Sequence, residues 1–145
     1  MDAETIFRIA NSVAVVGWLV LLASPVMPKV AHYVSAVAIP LLLAVVYSAL
    51  IMAFWSSGRG GFDSLEHVAE LFRSPELLLA GWIHYLAFDL FVGAWIVRKA
   101  RNDCIAFWAV IPCLVLTFLF GPAGFLLFSA ISAAKSVPSL KGAAS

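Results

Sequence analysis

A histidine, a tyrosine and an aspartate stand close together in the apolar stretch Gly81-Trp82-Ile83-His84-Tyr85-Leu86-Ala87-Phe88-Asp89-Leu90-Phe91-Val92-Gly93. These are the residue types that proton-transfer chemistry requires: Asp89 to take a proton, and His84 or Tyr85 to give one. At about 100° per residue, Trp82, Tyr85, Asp89 and Gly93 share one helical face, while His84, Phe88, Phe91 and Trp95 share another roughly 140° away. Tyr85 and Asp89, one turn apart, are spaced to hydrogen-bond, whereas His84 and Asp89 are not. A carboxylate inside an apolar run is costly, and so marks a functional position. The competing reading is packing, in which Asp89, Tyr85, His84 and Asn11 tie helices together through hydrogen bonds.

Four apolar runs position these groups: Thr5 to Ser24, Val30 to Phe54, Leu77 to Val97 and Cys104 to Ile131. Each supplies the roughly 20 residues that a helix needs to span about 30 Å of hydrocarbon. With 63% hydrophobic residues and a mean hydropathy of +1.03, the chain lacks the polar surface of a soluble domain this size. The expected fold is all-α: an integral membrane four-helix bundle over residues 1–134, with spans at about 5–24, 30–54, 77–97 and 104–131. A short interfacial helix at about 62–73 joins the second and third, and a disordered tail occupies 135–145. Asp2 and Glu4 stand where a signal peptide would be basic, which predicts that the first helix is retained. No Arg- and Ser-rich transit stretch precedes it, so the chain is either bacterial or an already processed organellar form, and a multi-pass protein of a bacterial inner membrane is the expectation favoured.

On this topology both termini and the loop Trp55 to Glu76 fall on one side, here end A, while the short loops Pro25 to Lys29 and Arg98 to Asp103 fall on end B. Basic residues then divide almost evenly, and only the dense Arg98-Lys99-Ala100-Arg101 cluster inclines end B towards the cytoplasm. Counted from end A, Asn11, Tyr47, His84 and Asp89 lie about 9 to 18 Å deep. The Gly121-Pro122 bend, read as a kink within a single fourth helix, lies about 14 Å deep. That polar layer is the expected pocket, with Trp82, Phe88, Phe91 and Trp95 as its aromatic lining.

Above it, Phe62, Leu65, Val68, Ala69 and Phe72 form an apolar stripe expected to lie down on the bundle. Asp63, Glu66, His67 and Glu70 face the other way. Their spacing would suit metal ligands, but a solvated face is the simpler reading, and neither metal nor cofactor is expected. Cys104 and Cys113, about 13 Å apart along one helix, are too far apart for a disulfide. A net charge of +1 gives no reason to expect a nucleic-acid partner.

The stretch Gly81 to Leu90, taken with Cys113-Leu114-Val115-Leu116-Thr117-Phe118-Leu119-Phe120-Gly121-Pro122-Ala123-Gly124, resembles the small membrane family of the plant abscisic-acid-deficient-four protein, linked to neoxanthin synthesis. The resemblance runs from the first helix to about Phe128. It implies a redox-neutral isomerisation of an epoxycarotenoid to an allene, which asks for an acid at the epoxide oxygen and a base at carbon. The combined expectation is a membrane protein that binds, and isomerises, a carotenoid or other isoprenoid lipid. Asp89 would be the base, His84 or Tyr85 the acid, and Trp82, Phe88, Phe91, Trp95, Asn11, Tyr47, Gly121 and Pro122 the binding surface. The alternatives are a non-catalytic factor that assembles or stabilises a partner membrane enzyme and, more remotely, a proton or cation pathway.

Overall fold

A computed structural model describes residues 2–142, with side chains described as far as Lys135. It is helical, with no strand among the described residues: α1 (Ala3–Leu22), α2 (Pro28–Ser57), α3 (Leu65–Leu71), α4 (Pro75–Asn102), α5 (Phe107–Phe120) and α6 (Pro122–Gly142). The tail expected from Lys135 onward falls almost wholly on residues whose side chains are not described, and its last three positions lie outside the described residues.

Three helices, α1, α2 and α4, are long and apolar enough to cross a bilayer, at 20, 30 and 28 residues. Of these α4 is the axis of the bundle. Some 56% of its apolar stretch is buried, against 28% for α1 and 22% for α2, so it is the helix the others pack around. Its start is fixed locally, by Ser74 accepting a bond from the Leu77 N–H, Pro75 in the first turn and Glu76 beside the helix dipole. Its last turn carries Lys99 and Arg101, on the side the dipole favours. Ala80, Ile83, Leu90 and Ile96 of α4 are fully enclosed. In α2, a π-helical stretch at His32–Ala38 precedes Pro40, and this wider turn absorbs the backbone bond that the proline cannot make. Ser35 in that stretch donates to the Gly17 carbonyl at 2.7 Å and ties α2 to α1.

The fourth apolar run does not form a fourth span. It folds into a hairpin, with α5 running inward and α6 returning beside it. Ser132 of α6 donates to the Asp103 carboxylate, and the Lys135 ammonium reaches the Asp103 and Cys104 carbonyls just ahead of α5. Along α4, Trp95 contacts both Phe125 and Phe128 of α6, with ring centroids 5.5 and 5.8 Å away. The reversal has two local causes. Gly121 adopts φ +44°, ψ −94°, open to glycine and strained for other residues. Pro122 then starts α6 because it cannot continue α5. Small groups close the hairpin: a Cβ on Gly124 would run into Thr117 and the Cys113 carbonyl, so the two backbones touch there. The expectation of a four-helix bundle is thereby corrected to three long helices and a half-depth hairpin. Lys135, expected at end A, lies at end B.

The interfacial helix is shorter than expected and turned differently. Ser64 caps it by accepting from the His67 N–H at 3.1 Å. The residue it buries is Leu71, outside the expected stripe, while Phe62 and Leu65 of that stripe are 73% and 86% exposed. The glycine lead-in explains the rotation: Gly60 at φ +98° brings the chain against the helix, and the Gly61 N–H bonds the His67 carbonyl at 3.3 Å.

Candidate active site at the hairpin tip

Asp89 sits fourteen residues into the 28-residue α4, about 21 Å along it and so at mid-depth. The hairpin tip meets it there. A Cβ on Gly121 would lie 2.6 Å from Asp89 Oδ1 and 3.2 Å from Oδ2, so the carboxyl rests directly on the glycine backbone. Asp89 is 8% exposed and its Oδ2 is buried without a hydrogen-bond partner. A buried acceptor left open is rare and costly, which singles this atom out for a ligand or a proton.

Tyr85 stands one turn away on α4, as the spacing predicted, with its hydroxyl beside the Asp89 carboxyl. That hydroxyl donates to the Phe118 carbonyl at 3.1 Å. Phe118 lies four residues before Pro122, so its carbonyl is the one that the missing proline N–H leaves unserved. Tyr85 thus holds the tip of the hairpin and reaches the carboxyl from the same position.

The hairpin covers this face of α4 only from end B up to Asp89. On the end A side of Asp89, Trp82 and Tyr85 of α4 meet Phe7 and Asn11 of α1 and Phe118 of α5, and this cluster is the candidate cleft. Trp82 is 40% and Phe120, at the hairpin tip, 63% exposed, while Asp89 is buried. Trp82 stacks obliquely on Phe7 and Tyr85, with centroids 5.8 and 5.3 Å away. Its indole N–H donates to Asn11 Oδ1 at 3.2 Å, and the Asn11 amide donates to the Phe7 carbonyl at 2.7 Å. Asn11 spends its polar atoms on protein partners, the bridging role weighed against ligand binding. Deeper, Trp18 packs edge-on against Phe118 at 5.5 Å and closes over Gly93.

The remaining residues fall into other places. His84 is on the far face of α4, between Tyr47 of α2 at 5.5 Å and Phe88, on which it stacks at 4.6 Å. The expected single layer joining His84 to Asp89 is therefore corrected, because the helical offset that kept them from pairing also opens them onto different surfaces. Phe88 and Phe91 line a groove of about 340 Å³ against Val37, Pro40 and Leu41 of α2. Trp95 packs under α6 on the end B side of Asp89. Of the expected site residues, Asp89, Tyr85, Trp82, Gly121 and Pro122 come together, with Asn11 at the rim. The sequence reading missed the Phe118 carbonyl, although the four-residue spacing to Pro122 signals it.

The loop carboxylates lie well outside this cleft. His67 Nδ1 contacts Asp63 Oδ1 at 2.8 Å, an exposed i, i+4 pair that lowers the Asp63 carboxyl below its ordinary value and raises the His67 imidazole. The first cause of each shift is the hydrogen bond to the other. Among the described residues no group of three or more histidines, cysteines and carboxylates is placed to hold a metal ion.

Comparison with known proteins adds one finding. The family model described as ABA DEFICIENT 4-like matches residues 5–128. The chain belongs to the ABA DEFICIENT 4-like family. The match takes in both resembling stretches, and hence every residue of the cleft. Comparisons with curated proteins and with solved structures give no match. Family membership and the three long apolar helices together make this a membrane protein with a lipid bilayer as its surroundings.

Proposed function

We propose that this protein crosses the membrane three times and binds a carotenoid or related isoprenoid in the half-depth cleft, isomerising it without net redox change. The observation that carries the reading is the Asp89 carboxyl, buried at mid-depth, open at Oδ2 and seated on the hairpin tip. A site with this address suits a substrate that lives in the bilayer, and the flat aromatic walls suit a polyene.

The chemistry follows from the two groups at the floor. Asp89 takes the proton from the carbon next to the epoxide, and that C–H electron pair becomes the second double bond of an allene. The epoxide C–O bond breaks, its pair stays on oxygen, and the oxygen takes the Tyr85 hydroxyl proton. Tyr85 recovers a proton from Asp89, so no redox partner or cofactor is consumed. Tyr85 is favoured over His84 as the acid because it alone stands beside Asp89. Its bond to the Phe118 carbonyl holds the hydroxyl until an oxygen arrives.

The test is the absorption spectrum of detergent-purified protein, followed by Asp89→Asn. A bound polyene, with conversion lost in a normally folded Asp89→Asn variant, is the expected result. Colourless protein with a function that survives Asp89→Asn would favour a non-catalytic assembly factor instead.

A further inference from the structure

Charge is distributed unevenly along the bundle. Of the carboxylates, Asp2, Glu4, Asp63, Glu66, Glu70 and Glu76 all lie at end A, while end B has Asp103 alone. End B meanwhile collects Lys29, Arg98, Lys99, Arg101 and Lys135. Its single carboxylate is fully engaged: Asp103 takes Lys99 at 2.6 Å through both oxygens and also accepts from Ser132. Among the described residues Arg98 and Arg101 have no ion-pair partner, although Arg98 is half-buried. A half-buried guanidinium without a counter-charge is expensive unless an anion reaches it.

A cavity of about 120 Å³ lies at that point, between the end of α1, the start of α2 and the last turns of α4. Arg98, Arg101 and His32 line it on the polar side, and Leu21, Ala94 and Val97 on the apolar side. Ser24 also lines it. That residue is 1% exposed, and its Oγ is buried with no hydrogen-bond partner. The Arg101 guanidinium is held at the rim by its bond to the Ser24 carbonyl at 3.3 Å. Two guanidinium groups, a free hydroxyl and an imidazole around one small cavity offer donors in surplus of acceptors. The complementary ligand is a tetrahedral oxyanion.

We propose that this cavity binds a phosphate group, with Arg98 and Arg101 as its counter-charges and Ser24 Oγ as a hydrogen-bond donor. Its placement at the end of three helices, with apolar residues directly beneath, is that of a lipid headgroup site whose acyl chains run down the bundle. The proposal is independent of the Asp89 chemistry, since cavity and carboxyl lie at different depths.

The experiment compares thermal midpoints of the full chain in detergent with added phosphatidylglycerol, the phosphate-free diacylglycerol of the same acyl chains, or inorganic phosphate. Phosphatidylglycerol should raise the midpoint by about 5 °C. Most of that shift should vanish in Arg98→Gln and shrink in Ser24→Ala, while Lys135→Gln, a basic residue of the same end outside the cavity, should keep it. Native mass spectrometry of the same samples should show a bound phospholipid lost in Arg98→Gln. A shift that inorganic phosphate reproduces in full would support the site with a soluble ligand in place of a headgroup. Equal stabilisation by diacylglycerol and phosphatidylglycerol, or a shift that Lys135→Gln removes as completely as Arg98→Gln, would overturn it.

Discussion

Replacing Gly121 by alanine should damage stability and function through two separable causes. The first is backbone strain. At φ +44°, ψ −94° a residue with a Cβ costs about 1–3 kcal/mol relative to glycine. The second is collision. The new methyl would lie 2.6 Å from Asp89 Oδ1, and α4 is too firmly packed to retreat, so Asp89 must leave its rotamer at about 0.5–1.5 kcal/mol. Together these give a penalty on the order of 2–4 kcal/mol, which for a chain of this size corresponds to a midpoint lowered by about 10 °C. Tryptophan-fluorescence melting in detergent measures it directly.

A double-mutant cycle separates the two causes. In an Asp89→Ala background there is no Oδ1 to strike, so Gly121→Ala should cost only its backbone share and the cycle should show a coupling of about 1 kcal/mol. A Gly121→Ala midpoint within a degree of the unmutated protein would refute the tight turn. Equal penalties in both backgrounds would refute the contact between the tip and Asp89, and with it the placement of the cleft floor.

Further tests bear on the other elements. In a cysteine-free background, a single cysteine at Asn102 and one at Lys135 should be labelled from the same side of a sealed membrane, and one at Ser64 from the opposite side. Joint labelling of Ser64 and Lys135 would restore a fourth crossing. Tyr85→Phe should lower the melting midpoint by about 2–6 °C by leaving the Phe118 carbonyl unpaired in an apolar setting, and should also abolish isomerisation. His84→Ala should leave isomerisation intact, since His84 opens onto the other face of α4. For the loop, NMR titration should find the His67 imidazole raised above its ordinary 6.5 and lowered by Asp63→Asn. The pair's contribution to stability is present only while Asp63 is ionised and His67 protonated. It fades as pH falls below about 4 through the lowered Asp63 value, and as pH rises past 6.5 through the raised His67 value.

The helical class, the three long helices and the Tyr85–Asp89 neighbourhood are legible in the sequence because each rests on a local rule: run length, or one turn of spacing. What is not legible is tertiary. The run Cys104 to Ile131 is as long as α4, and run length alone cannot decide between a kinked span and a hairpin. The deciding features are Gly121 in a conformation only glycine takes freely, and Gly124 with no side chain to hold α5 and α6 apart. Both are glycines, whose sequence signature is the same in a kink as in a reversal. His84 fails for a related reason. Equal depth along a helix is not proximity, and the 140° offset from Asp89 already places His84 on another surface.

The hairpin also alters the reading of membrane orientation. With Lys135 returned to end B, the described basic residues there are Lys29, Arg98, Lys99, Arg101 and Lys135, against Arg8, Arg59 and Arg73 at end A. A near balance becomes a bias towards end B, the end that the positive-inside rule would turn to the cytoplasm. Two consequences then coincide. On that orientation the proposed phosphate cavity would face the leaflet in which anionic headgroups are commonest, and the cleft above Asp89 would open towards the opposite leaflet. A lipid-soluble substrate would therefore enter from the outer half of the bilayer, where the hairpin leaves α4 uncovered. A spin-labelled fatty acid quenching Trp82 fluorescence should accordingly act more strongly with its label near the outer headgroups than at the bilayer centre. Equal or reversed quenching would place the mouth of the cleft at the wrong end.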